Sequence, residues 1–101
     1  MEVNVEKLRT ALRLVAPAVP KKATLPILTS IRLGEGKVIA TDLDTAITIS
    51  DIGSPDDAPL CLPHKLLLSF LEAVPGRESL IITPHDGKAD LTAGRSRATM
   101  V

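Results

Sequence analysis

A chain of 101 residues, 45% hydrophobic and 24% charged, has the composition of one folded globular unit with its own core, not of a disordered tail. Its formal net charge is zero, so bulk charge argues for no polyanionic partner. One Phe with no Trp or Tyr excludes a module that stacks single-stranded bases on aromatic platforms. No apolar run approaches the ~20 residues of a bilayer span, and the N-terminus lacks a charged-then-apolar leader pattern, so a cytoplasmic protein without membrane contact is expected.

Charge is unevenly spread. Residues 1–22 carry Lys7, Arg9, Arg13, Lys21 and Lys22 against Glu2 and Glu6, whereas residues 35–57 carry Glu35, Asp42, Asp44, Asp51, Asp56 and Asp57 against Lys37. The asymmetry predicts one basic and one acidic face. The single cysteine, Cys61, permits no internal disulfide and fits a reducing compartment; within the apolar run 60–62 it is expected to be a buried packing residue.

In chain order, residues 2–5 suit a short strand, with Asn4 placed to cap a helix and Glu6 in its first turn. Leu8, Ala11, Leu12 and Val15 then fall on one helical face, while Arg9 and Arg13 lie one turn apart on the other side. On spacing alone that charged side is a solvated surface. Pro17 and Pro20 end the helix, and Lys21 and Lys22 follow on an exposed loop. From Thr24 to Ser50, alternation of aliphatic with polar residues predicts three consecutive antiparallel strands, carrying Leu25, Ile27, Leu28, Ile31 and Leu33, then Val38 and Ile39, then Ile47 and Ile49. Their reversals are at 34–36 and 41–44, and the rest of the chain is expected to pack on this sheet. Residues 53–59 read as an acidic surface loop and 60–62 as a short strand.

Pro63 suits the first position of a second helix that runs to about Val74, where Pro75-Gly76 stops it. Leu67, Phe70, Leu71 and Val74 form its core face, with Lys65, Ser69 and Glu72 pointing away. Leu66 and Leu68 flank that stripe, which implies either contact with another domain or subunit, or a deeper core. The remainder predicts strands at 79–83, 88–92 and 95–101, with turns at 84–87 and 93–94. The order is β-α-β-β-β-β-α-β-β-β, an α+β fold with two helices on one side of antiparallel sheets, spanning residues 1–101 as one domain.

Little of this points to catalysis. The segment Gly34-Glu-Gly-Lys37 lacks the full phosphate-loop spacing and is followed by a strand, so it is a hairpin turn. Asp42 and Asp44 fit side-chain-to-backbone hydrogen bonding in a tight turn better than a shared divalent ion. His64 and His85 are solitary, with no partner at metal-ligand spacing and no nucleophile beside them. No enzyme, no cofactor and no metal site are expected.

Five segments in order carry a family resemblance: Thr24-Leu-Pro-Ile-Leu28, Ala40-Thr-Asp-Leu-Asp44, Leu62-Pro-His-Lys65, Ala73-Val-Pro75 and Ala93-Gly-Arg-Ser-Arg97. Together they resemble the N-terminal domain of the bacterial sliding clamp, the beta subunit of DNA polymerase III, over essentially the whole chain. The resemblance implies a DNA-clamp domain, the first of three in tandem, in subunits that pair head to tail around duplex DNA. Helices line the hole and sheets form the outer wall. Phosphates are touched without sequence readout, which lets the ring slide and makes the replicative polymerase processive. By position it implies Lys22 and Lys65 as DNA-binding residues, with Arg9, Arg13 and Lys21 on the same inward surface. It also implies a subunit interface at the last strand and adjacent helix, at Leu66, Ala98 and Met100.

Ala98 departs from the bulky residue usual at its position, which argues for a weaker contact, and Thr29-Ser30 replaces the small residue plus Asn often found there. The second and third domains carry the pocket for polymerase and clamp-loader peptides, so that pocket is expected to be absent here. A single-domain relative would need about six copies to close a ring. The alternative from another class is a stand-alone edge-pairing interaction module of clamp fold that does not bind DNA.

Overall fold

Where the hydrophobic period is 3.6 the chain is helical, and where it is two the chain is extended. The computed structural model describes residues 1–19 and 29–100. Its elements are β1 (Glu2–Asn4), α1 (Val5–Val15), a 3-10 turn (Ala16–Ala18), β2 (Ser30–Gly34), β3 (Lys37–Thr41), β4 (Ala46–Ser50), β5 (Leu60–Pro63), α2 (His64–Glu72), β6 (Ser79–His85), β7 (Lys88–Ala93) and β8 (Ser96–Met100). This is the order expected from the sequence. The expected strand residues Leu25, Ile27 and Leu28, together with Pro20, lie outside the described residues.

Helix α1 starts where Asn4, in extended conformation, accepts a hydrogen bond from the Lys7 amide at 3.0 Å. It buries Val5, Leu8, Ala11, Leu12 and Val15. Pro17 lies inside the 3-10 turn, where its missing amide and ring stop the α-helix. Pro63 closes β5 and occupies the N-cap of α2, one residue before the position expected for it. Helix α2 buries His64, Leu67 and Leu71.

The strands form two antiparallel four-stranded sheets, in the orders β1-β6-β7-β8 and β4-β3-β2-β5. A single organising sheet with the rest packed on it is therefore only half of the architecture. β5 returns to pair with β2, Ile31 opposite Leu62, and β1 pairs with β6, Val3 opposite Leu80. Alternate residues of both sheets, among them Ile31, Leu33, Val38, Leu62, Leu80, Ile82 and Leu91, join Leu8, Leu12, Leu67 and Leu71 of the helices in one core.

Two local readings change. Cys61 is exposed, not buried. The strand period explains why: Leu62 takes the inner face of β5 with Leu60 packed against the core beside it, so the residue between them faces out, opposite Arg32. Pro84 belongs to β6 and not to the turn, which shrinks to Asp86-Gly87, both with positive φ (46° and 74°). Proline is tolerated there because the Ile82 amide bonds Met1 at 2.8 Å, and two residues further on β1 no longer runs beside β6. The surplus apolar residues of α2 divide: Leu68 packs against the core, whereas Leu66 is 61% exposed.

Candidate nucleic-acid interface

Arg9 and Arg13 lie on the same side of α1, and Lys65 and Ser69 are one turn apart on the exposed side of α2. The resemblance puts these side chains on a common surface, but what each touches differs.

Arg9 is largely enclosed. Its Nη1 donates to the carbonyls of Leu71 at 3.0 Å and Val74 at 3.1 Å, and its Nη2 pairs with Glu6. Its Nε is buried with no hydrogen-bond partner. The guanidinium thus occupies the C-terminal end of α2, where the Leu71 carbonyl also accepts from the Val74 amide at 3.1 Å and the helix dipole favours a cation. The hydrogen bond and charge of Arg9 also hold the Glu6 carboxyl below the usual range.

Arg13 reaches the same helix from solvent. Its Nη2 donates to both Glu72 carboxylate oxygens, at 2.7 and 2.8 Å, and its Nε to one of them at 3.2 Å. Both partners are about half exposed, so the pair is a geometric tie more than a large source of stability. Lys65, in the first turn of α2, is exposed and has no such tie among the described residues. Lys21 and Lys22 lie outside the described residues.

His64 went unread as a structural residue. It is buried, 7% exposed, and its Nε2 lies 2.7 Å from the Leu12 carbonyl. A carbonyl only accepts, so Nε2 carries the proton. Sequence spacing gave no signal for this link, because its partners are 52 residues apart.

The expected interface residues also separate. β8 is an edge strand, so one side of its backbone is free of ladder partners among the described residues. Leu66 is exposed and Ala98 half-buried, but Met100 is only 7% exposed and packs into the core.

Asp42 does what a tight turn asks of it. Its Oδ1 accepts from the Asp44 amide at 2.9 Å and the Thr45 amide at 2.7 Å, and these bonds, Thr45 first, hold its carboxyl below the usual range. Asp90 accepts from the Thr99 hydroxyl at 2.9 Å and lies 2.6 Å from His85 Nε2; both lower its pKa, Thr99 the more. A depressed carboxylate stabilises the fold above its unfolded pKa of about 3.9 and loses that contribution as pH falls through the lower folded value. Asp42→Asn is therefore expected to flatten the acid limb of a stability-versus-pH curve below about pH 4, as read by chemical denaturation at successive pH values. A limb as steep as in the parent chain would refute this role. Among the described residues no three or more His, Cys, Asp or Glu converge to hold a metal ion, and no helix is long and apolar enough to cross a membrane.

Two helices packed side by side with two four-stranded antiparallel sheets match the α+β fold of a sliding-clamp domain. Among solved structures the chain is similar to bacterial sliding clamps. The Caulobacter crescentus DNA polymerase III beta subunit is 25% identical, with a TM-score of 0.84 over 99% of this chain and 29% of that one. A putative beta subunit from Eubacterium rectale is 19% identical, with a TM-score of 0.86 over 100% of this chain and 29% of that one. The Bartonella birtlesii clamp bound to griselimycin is 21% identical, with a TM-score of 0.82 over 99% and 28%. The chain therefore spans under a third of the length of the clamps it matches. No protein-family model and no curated protein sequence matches it.

Proposed function

We propose that this chain serves as one domain, the first of three by resemblance, of a DNA sliding clamp. In a closed ring it would encircle duplex DNA without reading sequence and make a replicative polymerase processive, as a non-catalytic factor of the bacterial cytoplasm. The observation that carries this is the fold likeness to polymerase III beta subunits along 99–100% of the chain. The inward surface is that of α1 and α2, with Lys22, Lys65 and Lys21 as phosphate contacts and Arg13 beside them. Arg9 stands on the same surface, but its hydrogen bonds to α2 leave it little freedom to reach a phosphate. A second subunit would join at the β8 edge through Leu66 and Ala98, with Met100 supporting that strand from inside. Polymerase and clamp loader would be engaged by other parts of the ring.

A second reading is an edge-pairing module without DNA contact. The open β8 edge and Leu66, 61% exposed, favour it. Replacing Lys21, Lys22 and Lys65 together with Glu separates the two. Three phosphate contacts imply a slope of about −2.7 in log affinity against log salt, or roughly a 40-fold loss between 50 and 200 mM. The parent chain is expected to show weak duplex binding with such a slope, and the triple variant none in a fluorescence-anisotropy titration. No duplex binding by the parent chain would leave the edge-pairing module as the better description, and equal binding by both proteins would overturn these lysines as the contacts.

A further inference from the structure

The two helices hold each other by their ends. His64, at the start of α2, meets the carbonyl of Leu12, in the last turn of α1, at 2.7 Å. Arg9, on α1, donates to the carbonyls of Leu71 and Val74 at the end of α2. Each helix therefore supplies the side chain that caps the C-terminus of the other. The remaining ties fall into the same frame. The Val5 and Glu6 amides at the start of α1 donate to the carbonyls of Glu78 and Gly76 in the loop that follows α2, at 3.0 and 3.3 Å. A side chain at Gly76 would push the Glu6 and Arg9 side chains out of place, since a Cβ there would lie 2.5 Å from the Glu6 carboxylate and 3.0 Å from Arg9 Nη2.

We propose that Arg9 and His64 are positioning residues whose reciprocal caps fix α2 against α1, and so fix the spacing of Lys65 from Arg13 on the proposed DNA-facing surface. The last clause rests on the function proposed above; the caps themselves do not. Arg9 serves three acceptors from two nitrogens, the Leu71 and Val74 carbonyls through Nη1 and the Glu6 carboxylate through Nη2, a spread that the single nitrogen of lysine cannot reproduce, whereas a phosphate contact accepts either residue. At position 64 the donor is Nε2, which the amide of glutamine reproduces and that of asparagine, one methylene shorter, does not.

The test is a spin-label distance between α1 and α2, from Thr10→Cys and Ser69→Cys in a Cys61→Ser background, both labelled sites being exposed. A single narrow distance is expected in the parent chain and in His64→Gln. Loss of that narrow distance is expected in His64→Asn and Arg9→Lys, with circular dichroism confirming that the helices remain. A narrow, unchanged distance in both of those variants overturns the proposal. Duplex titrations read the function separately: Lys65→Gln should lower the salt slope by about 1, and Arg9→Lys should weaken binding several-fold without changing the slope. A slope lowered by about 1 in Arg9→Gln and left intact in Arg9→Lys marks Arg9 as a phosphate contact and overturns its positioning role. Absent duplex binding with the distance results as expected overturns the DNA reading and leaves the caps standing.

Discussion

Leu12→Ala is expected to lower the unfolding free energy by about 2–5 kcal/mol, through lost transfer energy and the cavity left behind. Leu12 is fully buried in α1, the helix that packs at once on α2, β3 and β4. A domain of this size has only about 5–15 kcal/mol to lose, so the variant should melt well below the parent, by roughly 4–8 °C for each kcal/mol. Leu14 is the control on the same helix. It is 56% exposed, and Leu14→Ala should stay within about 0.5 kcal/mol of the parent. Urea denaturation of the three proteins measures both values, and similar losses at the two positions would mean that α1 presents a different face to the core.

Gly34→Ala is expected to cost about 2–6 kcal/mol, as backbone strain and overpacking act together. Gly34 ends β2 at φ 148°, and a Cβ built there would sit 2.4 Å from the Pro59 Cα and 2.8 Å from the Pro59 nitrogen. Those are backbone atoms, which cannot swing aside as a side chain would. Gly87 isolates the strain from the clash. Its φ is 74°, yet nothing lies within 4 Å of the added methyl, so Gly87→Ala should cost only about 1–2 kcal/mol. If the two variants melt together, the approach of Pro59 to β2 is not a constraint on the fold.

The sequence showed best what is local. The Asn4 cap, the buried stripe of α1, the Glu35-Gly36 and Asp86-Gly87 reversals and the turn bonding of Asp42 each depend on residues a few positions apart. What it hid depends on pairing across the chain. That β5 joins β2 and β1 joins β6 follows from which edges meet after folding, which no window of residues reports. Cys61 was misplaced because a three-residue apolar run does not say which member faces inward; the pairing of Arg32 with Cys61 does. The candidate site suffered most. Arg9 and Arg13 read as a solvated charged side, but Arg9 finds carbonyls 62 and 65 residues away and Arg13 finds Glu72, so the basic surface is partly consumed in joining the helices. Met100 illustrates the same limit, since alternation gives its inward direction only once the register of β8 on β7 is known.

The clamp account makes α1 and α2 the face that meets DNA and the sheets the face that does not. The most direct measurement is an amide NMR titration of the 101-residue chain with a short duplex at low salt. The account predicts sequence-independent shift changes confined to the exposed residues of α1 and α2 and to Lys21 and Lys22, and reversed by added salt. Changes confined to the outer faces of the sheets or to the β8 edge, or none at any duplex concentration, would contradict it.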